Sequence, residues 1–182
     1  DVIFILAIFV LGLIFLCFKR TRRFGFALAL SIAISFFLTN CIFKLLFQRI
    51  RPYNTLQHNA DYFNWYLNAG GLTESDFGFP SGHTASAVSL GFTLFLVLLH
   101  DRKYLLSVVP FFLCMMVAFS RIYLMVHYPS DVLFGVLIGM LSSIPAFLVS
   151  IKVEKIQKNK KTDETKPRKP LPKPIMALLV SG

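Results

Sequence analysis

The chain has 182 residues, of which 55% are hydrophobic, with twenty phenylalanines, a mean hydropathy of +0.65 and a formal net charge of +10. A water-soluble domain of this length cannot bury so much apolar surface, and several runs approach the ~20 apolar residues that cross a bilayer. The positive balance points to membrane orientation rather than to nucleic acid, because membrane proteins gather Lys and Arg on the cytoplasmic side and no folded basic surface accompanies the charge.

Residues 2–18 are continuously apolar and end in Lys19, Arg20, Arg22 and Arg23. No basic region precedes this run and no small-residue cleavage site follows it, so it reads as a span rather than a secretory signal. A second span covers 24–47 and is interrupted by Lys44. A polar, aromatic loop runs from 48 to 79, and its segment 61–67 (Asp-Tyr-Phe-Asn-Trp-Tyr-Leu) predicts a short interfacial helix. We expect that helix to guide a lipid headgroup inward. Spans three, four and five cover about 81–99, 104–119 and 132–151, with a charged turn at 100–103 between the first two. Cys17, Cys41 and Cys114 lie inside apolar runs without metal-ligand spacing and read as buried free thiols.

From Lys152 the composition changes to Lys and Pro, which predicts a solvated, disordered basic tail over 152–182 that rests on anionic lipid. The expected organisation is an all-α polytopic transmembrane helical bundle over 1–151, followed by this tail. Fifteen of the nineteen basic residues fall at 19–23, at 100–103 and in the tail, connections that alternate to one side. That side is expected to be cytoplasmic. The N-terminus of the chain then lies outside, which one preceding helix would explain: five spans here, six in the full-length protein.

The other four cations, Lys44, Arg49, Arg51 and Arg121, sit at or beside the opposite face, where positive charge is disfavoured unless used. Lys44 and Arg51 are seven residues apart, two helical turns if the helix continues. Pro80-Ser81-Gly82-His83 opens the third span with a good N-cap, a residue that permits close approach, and a histidine in the first turn. Helix N-termini suit phosphate. Ser120-Arg121, five residues, His127, three residues, Asp131 places a bidentate donor beside a histidine that a carboxylate can hold by one ring nitrogen, freeing the other as a nucleophile.

Each piece alone has an ordinary reading: a snorkelling lysine, a capped helix, an interfacial histidine. Together they are three loops on one face carrying two histidines, an aspartate and three cations, which is what a developing phosphoryl group requires. The cations are side chains, so we expect chemistry without a metal or other cofactor.

Lys44 to Arg51-Pro52, then Pro80-Ser81-Gly82-His83, then Ser120-Arg121 to His127 to Asp131 are similar, in order and spacing, to the motifs of the type 2 phosphatidic acid phosphatase superfamily. The likeness covers residues 24–150. It implies an integral-membrane lipid phosphatase in a bacterial cytoplasmic membrane with an extracytoplasmic site, in which His127 forms a phosphohistidine, Asp131 orients it and His83 protonates the leaving oxygen. Lys44, Arg51, Ser81, Gly82 and Arg121 are then expected to hold the phosphoryl oxygens. The implied substrates are isoprenoid diphosphates, phosphatidic acid, phosphatidylglycerol phosphate or lipid A. A lipid-to-lipid phosphotransferase would use the same residues, and a non-catalytic lipid-binding or transport protein would be expected to lack one of them.

Overall fold

The computed structural model describes residues 22–165, so the first expected span and the tail beyond 165 lie outside the described residues. Helix α1 (Arg22–Phe36) runs into a π-helical segment (Phe37–Phe43) and then α2 (Lys44–Phe47). Three further pieces, α3 (Pro52–Thr55), α4 (Ala60–Asn68) and the long α5 (Gly82–His100), lead to α6 (Tyr104–Tyr123) and α7 (Pro129–Thr165). Every regular element among the described residues is helical. Four stretches are long and apolar enough to cross a membrane: Arg22–Thr55, Gly82–His100, Tyr104–Tyr123 and Pro129–Lys160. They correspond to the second to fifth expected spans.

The radial pattern is that of a bundle in lipid. Large apolar side chains point outward, with Leu105 91%, Phe119 69% and Leu133 66% exposed. Small hydroxyl residues point inward, including Ser31, Ser35, Ser89, Thr93, Ser142 and Ser143. In hydrocarbon the apolar effect does not drive helices together, and small residues that let backbones approach take over that role. Most of the inward hydroxyls bond to carbonyls of their own helix, as Ser142 Oγ does to Ile138 O at 2.7 Å. Ser143 Oγ also crosses from α7 to the Ser89 carbonyl of α5 at 3.0 Å. Helix α5 is the centre, packed against α1, α6 and α7. At Gly91 a Cβ would come within 2.6 Å of the Pro110 carbonyl on α6, so no larger residue fits that crossing.

Two expectations change here. The chain does not leave regular structure at Lys152, because α7 continues to Thr165. Lys, Glu and Gln are good helix formers, Glu154 and Lys158 pair at i, i+4 with 2.5 Å between charges, and the first proline of the tail comes only at 167. Cys114 is buried as expected, but Cys41 lies on the exposed side of the π segment.

At the end of the bundle that carries these lysines, Arg23 of α1 pairs with Asp101 after α5 and, at 2.6 Å, with Glu154 of α7. Helix starts and ends alternate, so the starts of α5 and α7 and the ends of α2 and α6 meet at the other end.

Candidate active site

The lysine reaches the site through the π segment. Ser31, Ser35 and Thr39 succeed one another at four-residue steps along the buried side of the helix. The Lys44 amide donates to the Thr39 carbonyl, a five-residue step, so Lys44 lies beneath Thr39. Lys44 is 7% exposed while its neighbours Leu45 and Leu46 face outward. Gln48 then ends the helix in the left-handed conformation, with φ 43°. Arg51 is therefore not two turns further along the same helix; it is the N-cap of α3, 2% exposed. Lysine and arginine converge through a corner rather than along one helix face.

Arg121 comes from the last turn of α6. Its Nε is buried without a hydrogen-bond partner, a donor spare for a ligand oxygen. His83 lies in the first turn of α5. A Cβ on Gly82 would stand 3.6 Å from Lys44 Nζ, so the lysine tip lies against the start of that helix.

Two carboxylates that sequence reasoning passed over sit among these cations. Asp76 pairs with Lys44 and Arg51. Glu74 Oε2 is 2.5 Å from Arg51 Nη2, and Glu74 Oε1 is 3.5 Å from Arg121 Nη1 and 3.6 Å from His83 Nδ1. Its Oε2 also lies 3.8 Å from His127 Nε2. One carboxylate thus lies against members of all three motifs, at the junction where their cations and histidines meet. Burial pushes the Asp76 carboxyl up, but the hydrogen bond and charge of Lys44, followed by the charge and hydrogen bond of Arg51, outweigh it and hold the group below its ordinary value.

His127 is 3% exposed. Its Nε2 faces this junction, 3.2 Å from Arg51 Nη1, and its Nδ1 lies 2.8 Å from the Gly78 carbonyl. A carbonyl only accepts, so Nδ1 carries the proton and Nε2 keeps its lone pair toward the junction. The expectation that Asp131 holds this nitrogen changes in detail: Asp131 Oδ2 is 3.7 Å from Nδ1, within ion-pair range but beyond hydrogen-bond length. The fully buried Asp131 is engaged elsewhere. Oδ2 accepts from the Tyr128 amide at 2.9 Å, and Oδ1 accepts from Arg49 at 2.7 Å. Arg49 also donates to Ser130 Oγ at 2.7 Å and lies over the Tyr128 ring.

Ser81 is fully buried, and its hydroxyl accepts from the Thr84 hydroxyl at 2.9 Å and the Thr84 amide at 3.4 Å. Its side chain caps α5 as predicted. Its amide donates to the Asp131 carbonyl at 3.0 Å, which ties the start of α5 to the start of α7.

All eight sequence-predicted site residues therefore gather at one end of the bundle. Arg49, Glu74, Asp76 and Gly78 join them. A faint signal for Glu74 and Asp76 existed in the sequence: two acids lie six and four residues before the Pro80-Ser81 pair in a chain with nine acids in all.

Residues 22–155 match the PAP2 superfamily, and the chain belongs to that family. Among curated relatives, it is 30% identical over 152 residues to an undecaprenyl-diphosphatase of Sulfolobus acidocaldarius, covering 82% of this chain and 64% of the relative. It is 31% identical over 137 residues to a lipid A 4'-phosphatase of Porphyromonas gingivalis, covering 71% of this chain and 53% of that one. The chain thus spans between half and two thirds of these relatives' length. A solved structure, a transmembrane PAP2-type phosphatidylglycerolphosphate phosphatase from Bacillus subtilis, superposes with a TM-score of 0.61 at 28% identity. The match covers 84% of this chain and 70% of that one.

Proposed function

We propose that the protein hydrolyses a membrane lipid phosphate or diphosphate through a phosphohistidine on His127. The observation that carries this reading is the anion seat itself: Lys44, Arg51 and Arg121 with two histidines around carboxylates of the chain's own loop. A phosphoryl group that displaces Glu74 and Asp76 meets the same donors.

The steps follow from the groups present. Nε2 of His127 attacks phosphorus as the bond from phosphorus to the lipid-side oxygen breaks, and His83 gives that oxygen its proton. The charge spreading over the three phosphoryl oxygens is met by Lys44, Arg51, Arg121 and the N–H groups at the start of α5. Water then attacks phosphorus, the P–N bond breaks, and His83 recovers a proton from that water. The products are free phosphate and a lipid alcohol, or a lipid monophosphate from a diphosphate. Asp131 keeps the turn that carries His127 in place, through the Tyr128 amide. No metal takes part in this scheme. The names of the relatives and the basic cluster around Arg23 at the far end support a substrate drawn from the lipids above and an extracytoplasmic site.

The test is phosphate release from undecaprenyl diphosphate, phosphatidic acid, phosphatidylglycerol phosphate and lipid A in EDTA, with His127→Ala beside the wild type. The wild type is expected to release phosphate from at least one lipid, and His127→Ala to lose at least about 1,000-fold in rate. Activity that requires added metal, or that survives His127→Ala, would overturn the scheme. Transfer to a lipid acceptor instead of release would move the assignment to a phosphotransferase.

A further inference from the structure

The backbone that presents His127 is unusual, and aromatic donors hold it from outside. After α6 ends at Tyr123, Met125 takes a left-handed conformation with φ 57°, which side chains other than glycine rarely adopt. The Tyr62 hydroxyl donates to the Met125 carbonyl at 2.8 Å, and the Trp65 indole N–H donates to the Tyr123 carbonyl at 3.1 Å. Arg51 donates to the next free carbonyl, that of Val126, at 3.2 Å. Beneath the turn, Val126 is fully buried on Tyr53 and Tyr66, whose rings stack with centroids 5.2 Å apart.

Helix α4, which supplies Tyr62, Trp65 and Tyr66, begins with Asn59 as a side-chain cap accepting from the Tyr62 amide at 3.1 Å. A helix whose function is to lead headgroups inward has no need to place two side-chain donors on consecutive stretches of one catalytic turn. Burial, then the neighbouring Tyr128 and Tyr66, pushes the Tyr62 hydroxyl up to about 12, so it stays a proton donor across the working range.

We propose that Tyr62 and Trp65 are positioning residues: they clamp the carbonyls of Met125 and Tyr123, and through that turn they set the Nε2 of His127 toward the phosphoryl group. This rests on the proposed function above. It assigns α4 to the speed of the chemical step, not to lipid capture. Small displacements of a reacting atom cost large factors in rate while binding is little changed, so the clamp acts on kcat.

The test compares wild type, Tyr62→Phe, Trp65→Phe and the double variant on the lipid that the wild type hydrolyses best, with His127→Ala as reference. Tyr62→Phe keeps the ring and removes only the hydroxyl donor, whereas Trp65→Phe removes the indole N–H and leaves a smaller aromatic ring in its place. Tyr62→Phe is expected to lower kcat about 10-fold with KM within about 2-fold, and to lower the rate of phosphohistidine formation in rapid-quench experiments equally. The double variant is expected to lose more. Hydrogen exchange of the amides at 123–127 is expected to quicken in Tyr62→Phe with the thermal midpoint in detergent unchanged.

A raised KM with kcat intact would assign α4 to lipid capture and overturn the proposal. Unchanged kcat and unchanged exchange would overturn it as well. If the wild type proved inactive on every lipid, the proposed function would fail by itself, and exchange at 123–127 would still decide whether the clamp exists.

Discussion

Asp76 is held ionised by Lys44 and Arg51, and that fixes how pH acts on this contact. Its carboxyl lies below the ordinary value, so the loop contact it makes is fully present above about pH 4 and is lost only as pH falls through the lower folded value. Between pH 5 and 8 the carboxylate therefore competes with phosphate at constant strength. Asp76→Asn removes that competitor while leaving the three cations in place. It is expected to lower KM for the lipid, and the inhibition constant of inorganic phosphate, by about 3- to 10-fold. The kcat profile over pH 5–8 should keep its shape, since the Asp76 carboxyl lies below its ordinary value and does not change charge in that range. Steady-state kinetics with phosphate as inhibitor checks both. Asp131 differs: it is fully buried, neutralised by Arg49 and bonded to the Tyr128 amide, so it holds the turn more than the His127 ring directly. The sequence revealed that Asp131 and His127 would meet, because they stand only four positions apart. It could not reveal that Arg49, eighty-two positions away, would take the carboxylate first.

At the scale of elements, the π segment is the least expected part and the one on which Lys44 depends. In a straight α-helix Lys44, five residues beyond Thr39, would be turned about 140° away from it. The extra residue in the wide turn brings it back to the buried side. Asymmetric behaviour follows. Inserting one Ala after Cys41 turns Lys44 by roughly 100° toward lipid, and is expected to cost at least about 100-fold in kcat/KM. Deleting Cys41, which lies on the exposed side, lets an ordinary α-turn stand in the segment's place and keeps Lys44 inward, so substantial activity should survive. Paired phosphate-release assays on purified, equally expressed variants check this. The composition of 24–47 predicts a helix but carries no mark of the wider turn, since π and α turns differ by one residue rather than in apolar pattern. The short helix at 61–67 was legible from its aromatics and appears as Ala60–Asn68. Which way those aromatics point was not, because their partners are backbone carbonyls of a distant turn.

For the molecule as a whole, the two ends are built from different electrostatics. The site end concentrates cations around Glu74 and Asp76. The far end closes Arg23 against Asp101 and Glu154, with His100 3.7 Å from the same glutamate. Those pairs link α1, the α5–α6 turn and α7 and are half-buried; without Arg23, Glu154 keeps Lys158 but Asp101 loses its ion-pair partner. Arg23→Ala is therefore expected to lower the thermal midpoint in detergent by several degrees while leaving KM unchanged, which separates a stability role from a site role. The count of basic residues identified the two ends from sequence. The acids that answer them, Glu154 at one end and Glu74 at the other, did not stand out, because an isolated carboxylate in a loop or helix acquires meaning only from what folds against it.

The group nearest to Nδ1 of His127 is a peptide oxygen, that of Gly78. Replacing side chains one at a time leaves every main-chain oxygen chemically intact, so an alanine scan would pass over this anchor and credit the histidine's orientation to its visible neighbours. Glu74, Asp76 and Gly78 also belong to one short segment. Under the function proposed above, a ligand that displaced the two acids would bear on the same short segment whose Gly78 carbonyl meets His127.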